Sequence, residues 1–187
     1  MKMTFTLSMF FLVFNTSCSY DKASFVDYFS EPENGLVKSV QTDRWNYKLQ
    51  YRNAELMCLI ELDDETIDKK IFEETLDQYR GSDYFVLSVA PLRAQYINEA
   101  FKTSVLTKLS FNFAQNITLR ANEIDHNPKL YHFENNIKTA GHFRFLLAFD
   151  HNKFRDREIT ISQFDSDQNI AFLFEGSAVR NIPDLKL

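Results

Sequence analysis

The chain has 187 residues, a length that suits one domain of ordinary size. Apolar residues make up 44% and supply a full core, while only four Gly and four Pro exclude a low-complexity chain. A formal charge of −5 with no Lys/Arg run argues against nucleic acid as a partner.

Residues 1–17 read as an export signal. Lys2 supplies the positive start and Thr4 to Phe14 an apolar stretch. That stretch is shorter than the ~20 residues a membrane-spanning helix needs. Asn15, Thr16 and Ser17 follow, then Cys18. The pattern looks like a bacterial lipobox, in which Cys18 becomes the new N-terminus and carries lipid. Asn15 stands where a branched apolar residue is usual. The competing reading is an ordinary cleaved signal, with Cys18 a chance thiol. Stable anchoring takes two acyl chains, so a diacylated or triacylated Cys18 is expected. Ser19 is not an aspartate, which points to the outer membrane of a bacterial envelope, with the domain in an aqueous compartment. Removing residues 1–17 takes away Lys2 and no acid, so the mature chain is one unit more negative than −5. Cys58 is the other cysteine. With Cys18 acylated no disulfide can form within the chain, and the fold must rest on its core.

Residues 18–35 read as a tether ending in the turn-forming Glu31-Pro32-Glu33-Asn34-Gly35, with Phe25, Tyr28 and Phe29 able to dock on the domain that spans 36–187. Val37–Gln41 and Trp45–Tyr51 read as a hairpin. Trp45, Tyr47, Leu49 and Tyr51 alternate with polar residues, the period of a half-buried strand. Asn53 is placed to cap a buried helix over Ala54–Leu62, within which Cys58 reads as a small hydrophobe. Asp63 or Asp64 is placed to cap a second helix carrying Ile67, Ile71, Phe72, Leu76 and Tyr79, with Gly81 to end it. Tyr84–Val89 reads as a strand, and residues 92–113 as a short helix or two. Ile117–Asn122 and Lys129–Phe133 read as a strand pair joined across Asp125-His126-Asn127-Pro128. Phe143–Phe149, Glu158–Ile161 and Ile170–Phe174 complete the strands. The predicted fold is mainly β (α+β), an antiparallel β-sandwich with two or more accessory helices at one end or edge.

Several of these pieces together carry a resemblance. They are the Cys18 anchor, Glu33-Asn34-Gly35-Leu36, the Tyr47-x-Leu-x-Tyr51 strand and Leu130-Tyr131-His132-Phe133-Glu134. The Phe143–Phe149 strand and the ending Asn181-Ile182-Pro183-Asp184-Leu185 belong to the same set. As a set they resemble a group of uncharacterised lipoproteins of Bacteroidota-type bacteria. The resemblance implies an envelope location and a single β-rich domain, and it supplies no catalytic residue.

Motifs that carry chemistry are sparse. Asp165, Asp167 and Asn169 occupy positions 1, 3 and 5 of a calcium-type loop, but Ile170 and Gly176 stand where that loop needs Gly and an acid. A polar turn explains them better. His126, His132, His142 and His151 lack zinc spacing. His132 and Glu134 share a strand face and read as a surface pair before an acid–base couple. No nucleophile motif or phosphate-cradling glycine loop occurs. The expectation is therefore a protein that is not an enzyme, with no catalytic residue, cofactor or metal, and with lipidation at Cys18 as its one assigned site. It would be a non-catalytic binding or accessory lipoprotein. The alternative is a structural lipoprotein subunit of an envelope secretion or motility assembly. Its partners would be the membrane, through the N-terminal lipid, and an envelope protein or glycan, with no nucleic acid. The mixed-charge loop Asp150–Glu158 is the first candidate for a recognition surface.

Overall fold

The computed structural model describes residues 19–187, apart from 64–66, 94, 97, 99–101, 122 and 152–155. Cys18 lies outside the described residues. The described chain begins with β1 (Ser19–Tyr20), α1 (Lys22–Tyr28) and a 3-10 turn over Pro32–Asn34. It continues with β2 (Val37–Gln41), β3 (Trp45–Arg52), α2 (Ala54–Leu62), α3 (Lys69–Tyr79) and β4 (Ser82–Pro91). The helix α4 (Thr103–Thr107) runs into a π-helical turn and a 3-10 turn that end at Asn116. Then come β5 (Ile117–Ala121), β6 (Ile124–His126), β7 (Leu130–Glu134), α5 (Ile137–Ala140), β8 (Phe143–Asp150), β9 (Arg157–Ser162), β10 (Asn169–Phe174), α6 (Gly176–Arg180) and β11 (Asp184–Leu185).

These strands build an antiparallel sandwich of two sheets, ordered β2-β3-β4-β8-β7 and β10-β9-β5-β6. Register explains the core. In the first sheet Tyr51, Phe85, Leu147 and Tyr131 align in one row, and Leu49, Leu87, Phe145 and Phe133 in the next. In the second, Leu119, Ile159 and Phe172 align. The two apolar faces meet in a single buried cluster. Phe85 of one sheet meets Phe174 of the other edge-on, with ring centroids 5.3 Å apart. Most of these phenylalanines serve the core, where each buries a large apolar area with defined ring geometry. Leu109 and Phe113, on the segment after α4, fill one flank, with Phe113 against Phe145 and Phe164.

The helices α2 and α3 close one end. Leu56, Cys58, Leu59, Phe72 and Leu76 join the main core, while Met57 turns to Tyr84 and Ala148 on the outer face. Asn53 caps α2 as its position suggests, accepting from the Leu56 amide. The cap of α3 differs from expectation. Asp68 accepts from the Lys70 and Ile71 amides, and Asp63 instead ends α2 in a left-handed conformation, φ 38°. The helix therefore starts after Ile67, and Ile71 is exposed while Phe72, Thr75 and Leu76 face inward.

Two strand pairings also differ. The strands β5 and β7 do not pair: β5 turns back on β6, and β7 crosses to the other sheet and pairs with β8. Asp125 and His126 thus belong to β6, and Asn127 and Pro128 begin the crossover to the other sheet, so the segment is not a hairpin turn between β5 and β7. The connection from β8 to β9 likewise changes sheet, so Asp150–Glu158 does not close a hairpin. Residues 152–155 of that loop lie outside the described residues.

The stretch expected as a tether contributes α1, whose Phe25 and Phe29 lie in the core. Parallel pairing of Ser19 and Tyr20 with Asp184 and Leu185 ties the two ends of the described chain together. Gly35 turns at φ +75°, where the position of an added Cβ would lie 3.1 Å from the Ala178 Cβ. Glycine permits both that backbone conformation and that approach, which seats the C-terminal segment on the sandwich.

Candidate functional site

Two charged residues interrupt the apolar inner faces. Asp83 on β4 is 1% exposed and Arg157 on β9 is fully buried. They come from opposite sheets and meet directly: Arg157 Nε donates to Asp83 Oδ2 at 2.6 Å. Two further groups converge on the other carboxylate oxygen. The Tyr51 hydroxyl donates to Asp83 Oδ1 at 3.0 Å, and His151 Nδ1 lies 2.7 Å from the same oxygen. The Arg157 guanidinium also sits 5.5 Å from the centre of the Tyr51 ring. Asp83 is therefore a hub that ties β3, β4, the end of β8 and β9 together. Burial pushes the Tyr51 phenol well above its ordinary range, and the Asp83 charge adds to this. The hydroxyl remains a donor at any ordinary pH.

This network forms one wall of a cavity of about 420 Å³ at the end of the sandwich. Tyr51 and His151 face it from the network, Phe25 from α1, Asn53 from the start of α2, and Ile182 and Leu185 from the C-terminal segment. The side chain of His151 is 38% exposed. A carboxylate acceptor at Nδ1 selects the tautomer with the proton on Nδ1. In the neutral ring Nε2 is then the acceptor, on a side chain that lines the cavity. The arrangement can orient a ligand that donates a hydrogen bond to imidazole and places apolar surface against Phe25, Ile182 and Leu185.

The other sequence candidates fall in different places. Cys58 is completely buried and its Sγ contacts the Phe72 carbonyl oxygen at 3.4 Å. Burial pushes its thiol up to about 11, with nearby acids adding to the shift, which leaves little thiolate for nucleophilic attack. Asp165 and Asp167 lie on the β9–β10 connection, and Asn169 opens β10. There Asp165 accepts from the Trp45 indole at 2.7 Å, Asn169 accepts from Ser162 at 2.7 Å, and the Gln163 amide bonds back to the Gln168 carbonyl. That geometry is a braced turn. His132 Nε2 lies 3.8 Å from Glu134 Oε1 on the exposed side of β7. His126 is exposed on β6 and His142 borders a different cleft. Among the described residues no group of three His, Cys, Asp or Glu side chains is arranged to hold a metal ion.

Sequence reasoning missed Asp83, and it placed His151 and Arg157 in the candidate recognition loop Asp150–Glu158 without joining them to a buried carboxylate. A signal was present. Extending each alternating strand back by one residue puts Asp83 in phase with Phe85, Leu87 and Val89, and Arg157 in phase with Ile159 and Ile161. Opposite charges at inward positions of two strands must meet or be penalised heavily.

Comparison with known proteins found no matching family model, no matching curated protein and no matching solved structure.

Proposed function

We propose that the chain is a lipid-anchored protein of the bacterial envelope that binds a small ligand in the cavity beside His151, without catalysing a reaction on it. The carrying observation is His151 itself, held through Nδ1 by a buried carboxylate and lining a cavity of about 420 Å³. That volume is within the range of small-molecule sites, and mixed apolar and polar walls are typical of them. A non-catalytic role fits the hydrogen bonding: Asp83 is already committed to the Arg157 guanidinium and the Tyr51 hydroxyl.

The anchoring half of the proposal rests on the export signal that precedes Ser19 and on the elements next to it. Among the described residues no helix is long and apolar enough to cross a membrane. A lipid on Cys18 would join the chain one residue before β1, whose partner β11 supplies Asp184 and Leu185 to the cavity wall. Such an anchor would hold the cavity close to the lipid surface. The Bacteroidota-type lipoprotein resemblance supports the same envelope location.

Native mass spectrometry of the full chain, extracted from membranes in mild detergent, tests the binding. The expected result is one small molecule per chain, lost when Val179, which also lines the cavity, is enlarged by Val179→Trp while circular dichroism is unchanged. A chain with nothing bound, or with binding indifferent to Val179→Trp, contradicts the reading. Cys18→Ala is expected to abolish lipid labelling and membrane fractionation. The second reading, a structural subunit of an envelope assembly, is favoured by Phe111, which is 77% exposed on the turn after α4. Photocrosslinking from position 111 in whole cells would then yield a stoichiometric protein partner.

A further inference from the structure

The outer face of the five-stranded sheet carries a second cleft, remote in character from the first. Its volume is about 290 Å³, and it is lined by Lys48, Arg52, Ser88, Asn136, His142 and Arg144 around a floor that includes Val86. Among the described residues no acid lines it, on a chain whose net charge is negative. Strand register explains the concentration of charge. Lys48, Ser88 and Arg144 align in one outward row across β3, β4 and β8, and Arg52 stands two rows away opposite Tyr84. Between them runs the row Gln50, Val86 and Leu146.

The cations are incompletely neutralised. Arg52 donates through Nε and an Nη to Gln50 Oε1 at 3.0 Å each, a neutral acceptor. Lys48 is exposed and has no ion pair among the described residues. Arg144 reaches Glu134 Oε2 at 3.5 Å, but that oxygen also accepts from Asn136 at 3.1 Å. Burial and the neighbouring Arg144 push Arg52 down to about 10. Three cations against the one nearby acid leave two positive charges facing one concavity, an arrangement that costs stability when nothing negative occupies it.

We propose that this cleft binds a compact dianionic oxyanion of the phosphate-monoester class, held by Lys48, Arg52 and Arg144 with Ser88 as an added donor. The charge count favours a dianion over a single carboxylate. Planar guanidinium forks match phosphoryl oxygens, and lysine adds a point charge. The same phosphoryl chemistry is offered by free phosphate compounds and by a phospholipid headgroup. The site shares no lining residue with the His151 cavity, so it stands or falls independently of that reading.

Calorimetric titration of the full chain in non-ionic detergent tests it, with inorganic phosphate as the probe and short-chain phosphatidic acid below its micelle concentration as a second arm. Expected is saturable binding of one phosphate per chain, weakened about tenfold or more by Arg52→Gln or Arg144→Gln, as loss of a charge-assisted bond implies. Arg52→Lys should retain most of it. Lys48 is exposed, so Lys48→Gln keeps the fold and should still weaken binding. Tighter binding of phosphatidic acid than of phosphate assigns the anion to a headgroup, and equal or weaker binding assigns it to a free phosphate compound. Absence of saturable phosphate binding at millimolar concentration overturns the proposal. So does binding of both probes that Lys48→Gln and Arg144→Gln leave unchanged.

Discussion

The strand β3 presents Tyr47 and Tyr51 on one inner face, and the two phenols have opposite circumstances. Both rings are buried in the same core. The Tyr51 hydroxyl donates to Asp83 within the charged hub. The Tyr47 hydroxyl, near the opposite end of the strand, is buried with no hydrogen-bond partner among the described residues. Its phenol is pushed far up by burial, with the Asp165 charge adding to the effect. The end near Tyr47 is closed by apolar contact, with the Trp45 indole 4.9 Å from the Phe164 ring, and is braced by the bond from that indole to Asp165. The end near Tyr51 is closed by a carboxylate that four strands share. One end of the sandwich is thus a core with a polar brace at its rim, and the other is a preorganised polar wall. The cavity lies at the second, where polar groups are already fixed in place.

The difference can be broken most severely at Arg157. Arg157→Ala removes the buried guanidinium that donates to Asp83, and removing one partner of a buried ion pair costs about 3–5 kcal/mol. Chemical unfolding of the full chain should show that loss. The double variant Asp83→Leu with Arg157→Met should recover part of it, because replacing both charges with apolar groups removes the uncompensated ion. Equal loss in the single and double variants would mean that packing rather than charge dominates there.

A smaller effect is expected from Tyr51→Phe, which removes one charge-assisted donor from Asp83 and leaves the others. The cost should be about 2 kcal/mol. Tyr47→Phe sharpens the contrast. Removing a buried hydroxyl that makes no bond should change stability by less than about 0.5 kcal/mol, or raise it. The same measurement on both variants decides whether the two phenols differ in this way, and equal losses would deny it.

Much of this fold was legible because its strands obey one rule. Trp45 to Tyr51 alternate apolar and polar without interruption, and Phe143, Phe145, Leu147 and Phe149 recur at every second position with Arg144 on the other face, so their inner faces follow from period two. Asn53 and Gly81 mark helix limits by chemistry that acts within a few residues. What was not legible depends on long-range choices. Ile117–Asn122 and Lys129–Phe133 have the pattern of paired strands. Whether they pair with each other or with β9 and β8 is decided by burial of whole faces, not by the turn between them. Asp63 also has the right chemistry to cap a helix and was outcompeted by Asp68, which bonds two amides of α3. The hub was hidden for a simpler reason. Asp83, His151 and Arg157 sit at or just beyond strand ends, where polar residues usually mark the start of a loop. Only the meeting of two sheets makes them a site.

The central claim is that Asp83 fixes the neutral His151 ring so that Nε2 is the acceptor. Two-bond proton–nitrogen correlation spectra of the His151 ring, recorded on the full chain at a pH where the imidazole is neutral, test it directly. The expected result is a proton on Nδ1 and a bare Nε2, with that preference lost in Asp83→Asn. A neutral ring protonated on Nε2 in the unmodified chain, or a tautomer indifferent to Asp83→Asn, would contradict the account.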